Sequence, residues 1–266
     1  MAEIEIDFSK SLEENASIYF RKAKEAKAKA ERIRAAITET EKRLSREKED
    51  KTEKKPEIFR KRQKEWFEKF RWFYSSDGFL VIGGRDAHSN EVIVKKHMEK
   101  GDLYFHADIQ GAPHCILKAG GQPVPEQSLQ EAAVFAAVFS KAWNSGISNA
   151  DVYCVKPEQV SKKAPAGESI GTGAFMIYGN RQWFRKTPLR AAVGIDSAGR
   201  LICAPESAVK KHSAFALVIL PGQEKKSEIA KRLKSIMEKK YGVSGIHLDE
   251  FIAVLPSGES RIEANP

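Results

Sequence analysis

The chain has 266 residues, 41% hydrophobic and 30% charged, enough for one or two domains with proper cores. No apolar run approaches the roughly 20 residues needed to span a bilayer. The opening MAEIEIDF has neither the basic nor the apolar region of a secretory signal, so a cytoplasmic protein with no membrane partner is expected.

The net charge of +9 is concentrated rather than spread. Residues 21–64 hold 18 Lys or Arg against 9 Asp or Glu, which leaves the remainder of the chain balanced. The same segment carries a heptad seam. Leu12, Ala16, Tyr19, Ala23, Ala26, Ala30, Ile33, Ile37, Thr40 and Leu44 alternate spacings of four and three, with no Gly or Pro between them. That pattern predicts one helix of about 40 residues, roughly 60 Å long at about 1.5 Å per residue. It should end around Glu49 to Lys55. Pro56 then suits the first turn of a second helix, in which Phe59, Gln63, Trp66, Phe70 and Phe73 repeat the four-three step. The expectation is an antiparallel coiled-coil hairpin over residues 10–70. Its cations, Lys22, Lys24, Lys27 and Lys29 among them, outnumber its acids too far for internal salt-bridging. They form either an RNA-facing surface or a solvated face.

Ser75-Ser76-Asp77-Gly78 is a turn signal between two apolar runs and predicts a β-hairpin whose second arm is Phe79 to Ile82. After Gly83-Gly84 comes a loop with Arg85, Asp86, His88, Asn90 and Glu91. It is either a recognition surface, where glycine lets a partner approach the backbone, or the start of a helix capped by Ser89 or Asn90 and running to Gly101. Strands are expected at 102–108 and 114–118, followed by a core helix from Pro125 to Trp143, with Trp143 in the core. Further strands at 151–155, 174–178 and 189–193 make residues 71–195 an α+β unit. The loop Gln159 to Glu168 sets Ser161, Lys162 and Lys163 side by side. It suits phosphate, through point charges, a hydroxyl and backbone amides, or it is simply solvated.

From about Arg200 to Pro266 the order strand, helix, strand, helix, strand predicts a small α/β module, with a closing strand from Phe251 to Leu255. Pro221-Gly222 ahead of Lys225, Lys226 and Ser227 could hold an anion on a helix dipole, but no GxxxxGK[ST] string marks a nucleotide site. Cys115, Cys154 and Cys203 lie far apart in apolar runs and read as buried free thiols. The strongest catalytic constellation is His106 and Asp108, on one face of a strand, with Asp102 and Asp86. It fits a divalent metal acting on a phosphodiester, or an ordinary hydrogen-bonded pair fixing the strand end. No second carboxylate cluster completes a ligand set by spacing, and no GxSxG or HExxH occurs. Neither metal, cofactor nor intrinsic catalysis is expected.

The strings WFEKFRWFYSSDGFLVIGGRDAHSNE, GDLYFHAD with QGAP, QVSKKAPAGE and GTGAFMIYG fall in order across roughly residues 60–180. Together they resemble the RNA-binding domain of the NFACT proteins, the family of the RqcH and NEMF factors of ribosome-associated quality control. LICAPESAVKKHSAFALVILPGQEKKSEIAK and LDEFIAVLPSG resemble the C-terminal region of archaeal members. The resemblance implies a coiled-coil middle region, an α+β RNA-binding domain and a small α/β module, here at 10–70, 71–195 and 200–266. It implies binding of tRNA or large-subunit rRNA on stalled large ribosomal subunits, in support of C-terminal tailing of nascent chains. Other quality control proteins are expected to meet the coiled coil. The N-terminal domain and helix-hairpin-helix region of larger members have no counterpart here, so a fragment or short form is expected. By this resemblance Arg71, Arg85, Lys118, Ser161, Lys162 and Lys163 contact RNA, supported by Asp86, Asn90, His106 and Asp108. Two other classes stay open: a metal-dependent ribonuclease using His106 and Asp108, and a scaffold that binds proteins through the seam.

Overall fold

A computed structural model of the chain describes residues 6–49, 64–163 and 170–263, with side chains of the first stretch described to residue 40. The chain divides into two compact units, residues 1–60 and 61–266. In the first, helix α1 (Leu12–Glu49) runs for 38 residues, roughly 57 Å. Ser11 opens it with a capping box, in which the Glu14 N–H donates to Ser11 Oγ at 3.1 Å and the Ser11 N–H to Glu14 Oε2 at 2.8 Å. Leu12, Ile33 and Ile37 of the heptad seam are exposed on it.

The expected return helix falls partly outside the described residues, which do not include Phe59 and Gln63. Its described end is corrected. Trp66–Lys69 is a single 3-10 turn and β1 (Arg71–Tyr74) is already a strand. Phe70 and Phe73 are buried within the second unit, so the aromatic stepping reflects two different elements and not one helix.

In the second unit β1 and β2 (Leu80–Gly83) form the predicted hairpin. Helix α2 (Ala87–Val92) then runs into a π-turn at Ile93–His97. Its cap is Asp86, which accepts the Ser89 N–H at 2.7 Å, and not Ser89 or Asn90. There follow β3 (Leu103–Ala107), β4 (Cys115–Leu117), α3 (Glu126–Val138), β5 (Asn149–Val155) and the short pair β6 (Val160–Ser161) and β7 (Met176–Ile177). β8 (Gln182–Pro188) completes an antiparallel sheet of order β1-β2-β4-β3-β5-β8.

Helix α3 covers one face of this sheet, where Ala132, Phe135 and Ala136 meet Phe105, Cys115 and Cys154 in the main core. It ends at Val138. Ser140 starts a separate 3-10 turn that carries the buried Trp143. Because side chains alternate along a strand, Tyr104 and His106 face away from the side that Phe105 takes. On that second face the π-turn places Ile93 on Ile82 and Ile116, and Val94 on Tyr104 and Val155.

A second sheet of order β10-β9-β11-β12 is built from β9 (Ala191–Ile195), β10 (Leu201–Ala204), β11 (Leu217–Glu224) and β12 (Ser260–Ile262). Helices α4 (Glu206–His212), α5 (Lys226–Tyr241) and α6 (Leu248–Val254) pack with it. The closing strand expected at Phe251 is therefore helix α6, and Pro221-Gly222 lies inside β11 and not at a helix start. β9 pairs with β10 and β11, so the boundary drawn at residues 195–200 falls inside one sheet and one continuous core. Trp143 Nε1 donates to Ser260 Oγ at 3.0 Å, and Arg190 joins Glu206 to Glu263 across the same region. All three cysteines are buried free thiols. Among the described residues no helix is long and apolar enough to cross a membrane.

Candidate nucleic-acid interface

The uncovered part of the second sheet face becomes a groove of about 740 Å³, floored by Tyr104, His106 and Tyr153. Tyr104 and His106 lie parallel, with ring centroids 6.4 Å apart. His114 packs against both, at 5.5 and 5.0 Å, and Phe175 closes the cluster 5.4 Å from His114. Tyr104 Oη and His114 Nδ1 share a 2.6 Å hydrogen bond. Burial pushes His106 down to about 4 and, with repulsion from His106, His114 down to about 3. Both imidazoles are neutral at pH 7; the His114 ring is engaged by Tyr104 Oη and the Gly173 backbone, while His106 Nδ1 has no hydrogen-bond partner among the described residues.

Cations stand at one side of this groove. Arg71 stacks over the Phe139 ring at 4.4 Å, and its buried Nη1 has no hydrogen-bond partner among the described residues. Burial and neighbouring Arg85 push its guanidinium down to about 10. Arg85 donates to the carbonyls of Phe70 and Ala253, each at 3.0 Å. Lys226, at the start of α5, does not line the groove but feels its two arginines, and is pushed down to about 8 by burial, Arg71 and Arg85. Lys141 lines the groove beside Gly111. The cap and the far wall come close through Gly173, whose φ of +74° and contact with the Ala87 backbone exclude a side chain.

Beyond Phe175 the groove continues into a hollow of about 360 Å³ between His106, Tyr153 and Arg181. Arg181 lies over Tyr153 at 4.5 Å and over Trp183 at 5.8 Å, and Arg185 lies over Trp183 at 3.9 Å. A register shift in the β5–β8 pairing occurs here, next to Lys186, whose φ is +52°. Asp151 holds the irregularity by accepting the Lys186 N–H at 2.8 Å and Arg185 Nη1 at 2.6 Å. The edge strand thus presents a ladder of guanidinium and aromatic planes.

The sequence-predicted residues divide sharply in this geometry. Arg71, Arg85, Asp86, Asn90 and His106 all line the groove. Lys118 does not. Its ammonium is held by Asp102 at 2.6 Å, Glu99 at 2.8 Å and the His97 carbonyl at 2.7 Å. Lys162 is a clip as well, bound to Glu91 at 3.0 Å and to the carbonyls of Gly171 and Ala174. Ser161 Oγ accepts the Lys163 N–H, and the Lys163 side chain is exposed; residues 164–168 of that loop lie outside the described residues. Gly84 makes room for an internal partner, since a Cβ there would meet Asn90 Oδ1, the acceptor of the His114 N–H at 3.0 Å. The four-residue metal constellation does not assemble, because Asp86 caps α2 and Asp102 is bound by Lys118. Asp108 follows β3 and lines the second hollow with His106. Of the arm, Lys22, Lys24, Lys27 and Lys29 are exposed on α1.

Sequence reasoning missed His114, Lys141, Tyr153, Phe175, Arg181, Trp183 and Arg185. One signal was available. Arg181-Gln182-Trp183-Phe184-Arg185 alternates so that cation, aromatic and cation share one strand face.

An aromatic-floored groove with unneutralised cations, on an α+β sheet, defines the class: a nucleic-acid-binding domain. Residues 69–179 match the sequence profile of the family described as NFACT protein RNA binding domain. The chain is 40% identical over 205 residues to the archaeal Rqc2 homolog aRqcH of Methanocaldococcus jannaschii, covering 76% of this chain and 30% of that protein. It is 46% identical over 119 residues to the ribosome quality control complex subunit NEMF of Homo sapiens, covering 44% of this chain and 11% of that one. Ribosome quality control complex subunit 2 of Schizosaccharomyces pombe is 34% identical over 199 residues, 72% of this chain and 19% of its own. The chain spans less than a third of the length of these relatives, and it belongs to the NFACT family, of the RqcH and NEMF type.

Proposed function

We propose that this chain is the RNA-binding portion of a cytoplasmic ribosome quality control factor. It binds tRNA or large-subunit rRNA on stalled large subunits and supports C-terminal tailing without catalysing a reaction itself. The observation that carries this reading is the continuous surface from Arg71 and Arg85, across the Tyr104, His106 and Tyr153 floor, to the Arg181, Trp183 and Arg185 ladder. Guanidinium groups track phosphates, while aromatic faces stack on unpaired bases regardless of sequence. The names of the relatives supply the setting, ribosome quality control. The long basic helix α1 is read as one strand of a coiled-coil arm that adds backbone contacts or docks another quality control protein.

The test is fluorescence anisotropy with labelled tRNA at about 0.15 M salt, where weak surface attraction is already screened. Binding that unlabelled tRNA displaces better than unfolded RNA of matched length supports the reading. Equal displacement by both would reduce the module to a cationic surface.

A further inference from the structure

We propose that the groove takes one unstacked nucleotide of the bound RNA, its phosphate against Arg71, Arg85 and Lys141 and its base among Tyr104, His106, His114 and Phe175. This rests on the RNA-binding reading above and assigns the ligand of its deepest feature. At about 740 Å³ the groove has the size of a small-molecule pocket, which flat backbone recognition does not require. Its two sides differ in chemistry. The Arg71 and Arg85 side carries positive charge without a carboxylate contact to Arg71 among the described residues, and one guanidinium nitrogen is left unpaired. The ring side holds four aromatic rings whose centroids lie 5.0 to 6.4 Å from their neighbours.

A base needs both a π-face and hydrogen-bond groups of either polarity. The neutral His106 imidazole supplies such a group, whereas His114, bonded to Tyr104 Oη and the Gly173 backbone, contributes its ring face. His106 Nδ1 is buried and has no hydrogen-bond partner among the described residues, a condition that a fold seldom leaves uncompensated. The flanking chain has somewhere to go. The groove shares His106, Gln110, Tyr153 and Phe175 with the hollow that leads to Arg181, so the next nucleotide meets the Arg181 and Trp183 ladder. Duplex RNA cannot enter, because its bases are stacked and paired and its deep major groove is closed to side chains.

The experiment uses the full chain and five-nucleotide single-stranded RNAs, each paired with an oligonucleotide lacking the central base. Removing that base should weaken binding about tenfold or more, the effect of one stacked base. Phe175→Ala should erase the difference between the two oligonucleotides while leaving the thermal midpoint nearly unchanged. Histidine ring signals in a nitrogen-correlated NMR spectrum should shift for His106 and His114 with the intact oligonucleotide, and not with inorganic phosphate. Equal binding of intact and abasic RNA, with tRNA still bound, would overturn the pocket and spare the RNA-binding reading. Loss of tRNA binding as well would remove both.

Discussion

Asp102 stands just before β3 with its carboxylate fully buried. It accepts Lys118 Nζ at 2.6 Å, the Glu99 N–H at 2.9 Å and the Gly120 N–H at 3.3 Å. Removing the cation from such a pair strands a buried charge, at a cost of about 3–5 kcal/mol. Lys118→Ala is therefore expected to lower unfolding free energy by about 3 kcal/mol while leaving tRNA affinity of the folded protein within about twofold. Urea titration and anisotropy measure the two separately. Lost affinity at an unchanged urea midpoint would return Lys118 to the interface. The groove histidines make the other prediction at this scale. Asp108 favours charging His106 and Arg181 opposes it, while His106 and Lys162 both oppose charging His114. Burial dominates in each case, holding them at about 4 and about 3. The unfolded chain binds protons on both near pH 6.5, so it carries more protons than the folded chain below that pH. Their contribution to stability is fully present above about pH 6.5 and is lost as pH falls through 4 to 3. His114→Asn should flatten the fall in stability between pH 7 and 4.5, and an unaltered slope would mean that His114 is already solvated in the fold.

Three elements meet at Glu131 of α3, a buried carboxylate inside an alanine-rich helix. It accepts the Ser76 N–H at 2.8 Å, Ser76 Oγ at 2.5 Å and Ser207 Oγ at 2.6 Å. Ser128 Oγ adds contacts to Ser75 Oγ and Asp77, and His212 of α4 bonds the Ser75 carbonyl at 2.7 Å. The hairpin turn is thus bolted to α3 and α4 at once. Glu131→Ala leaves several donors without an acceptor, and a loss of about 2–4 kcal/mol is expected. Amide exchange should rise first at residues 75–79, and uniform change across the unit would argue against a local bolt. The turn itself was legible in the sequence, because Asp77-Gly78 acts on its own backbone and the strands beside it alternate. Glu131 was not legible as a hub, since its serine partners lie 55 and 76 residues away. Phe251 to Leu255 misled for a related reason. Short apolar runs fit strand and helix equally, and here the packing of α6 on its neighbours decides. In the groove, Arg85 and His106 stood out by residue type in one loop and one strand. His114 and Arg181 join them only once β3, β4, β5 and β8 are ordered in the sheet, which no local pattern encodes.

At the scale of the whole chain, charge and site have separate addresses. The excess of cations lies in residues 21–64, whereas the groove and the Arg181 ladder belong to residues 71–257. Lys22, Lys24, Lys27 and Lys29 are exposed on α1. If they meet phosphates, reversing all four to Glu should reduce the log–log salt slope of tRNA binding by up to about 0.9 per lost contact, with no effect on the groove. Arg181→Gln removes a guanidinium stacked on Tyr153 and Trp183, so it should weaken binding with a slope change of about one at most. Combining the two sets distinguishes how the RNA is held. Contacts made simultaneously to one RNA by independent sites should give losses in binding free energy that add within about 0.5 kcal/mol. If arm and groove instead compete for the same RNA, the combined loss in affinity will depart from that sum. An unchanged salt slope after the four reversals would assign the arm lysines to solvation and leave the groove and its ladder to carry the recognition by themselves.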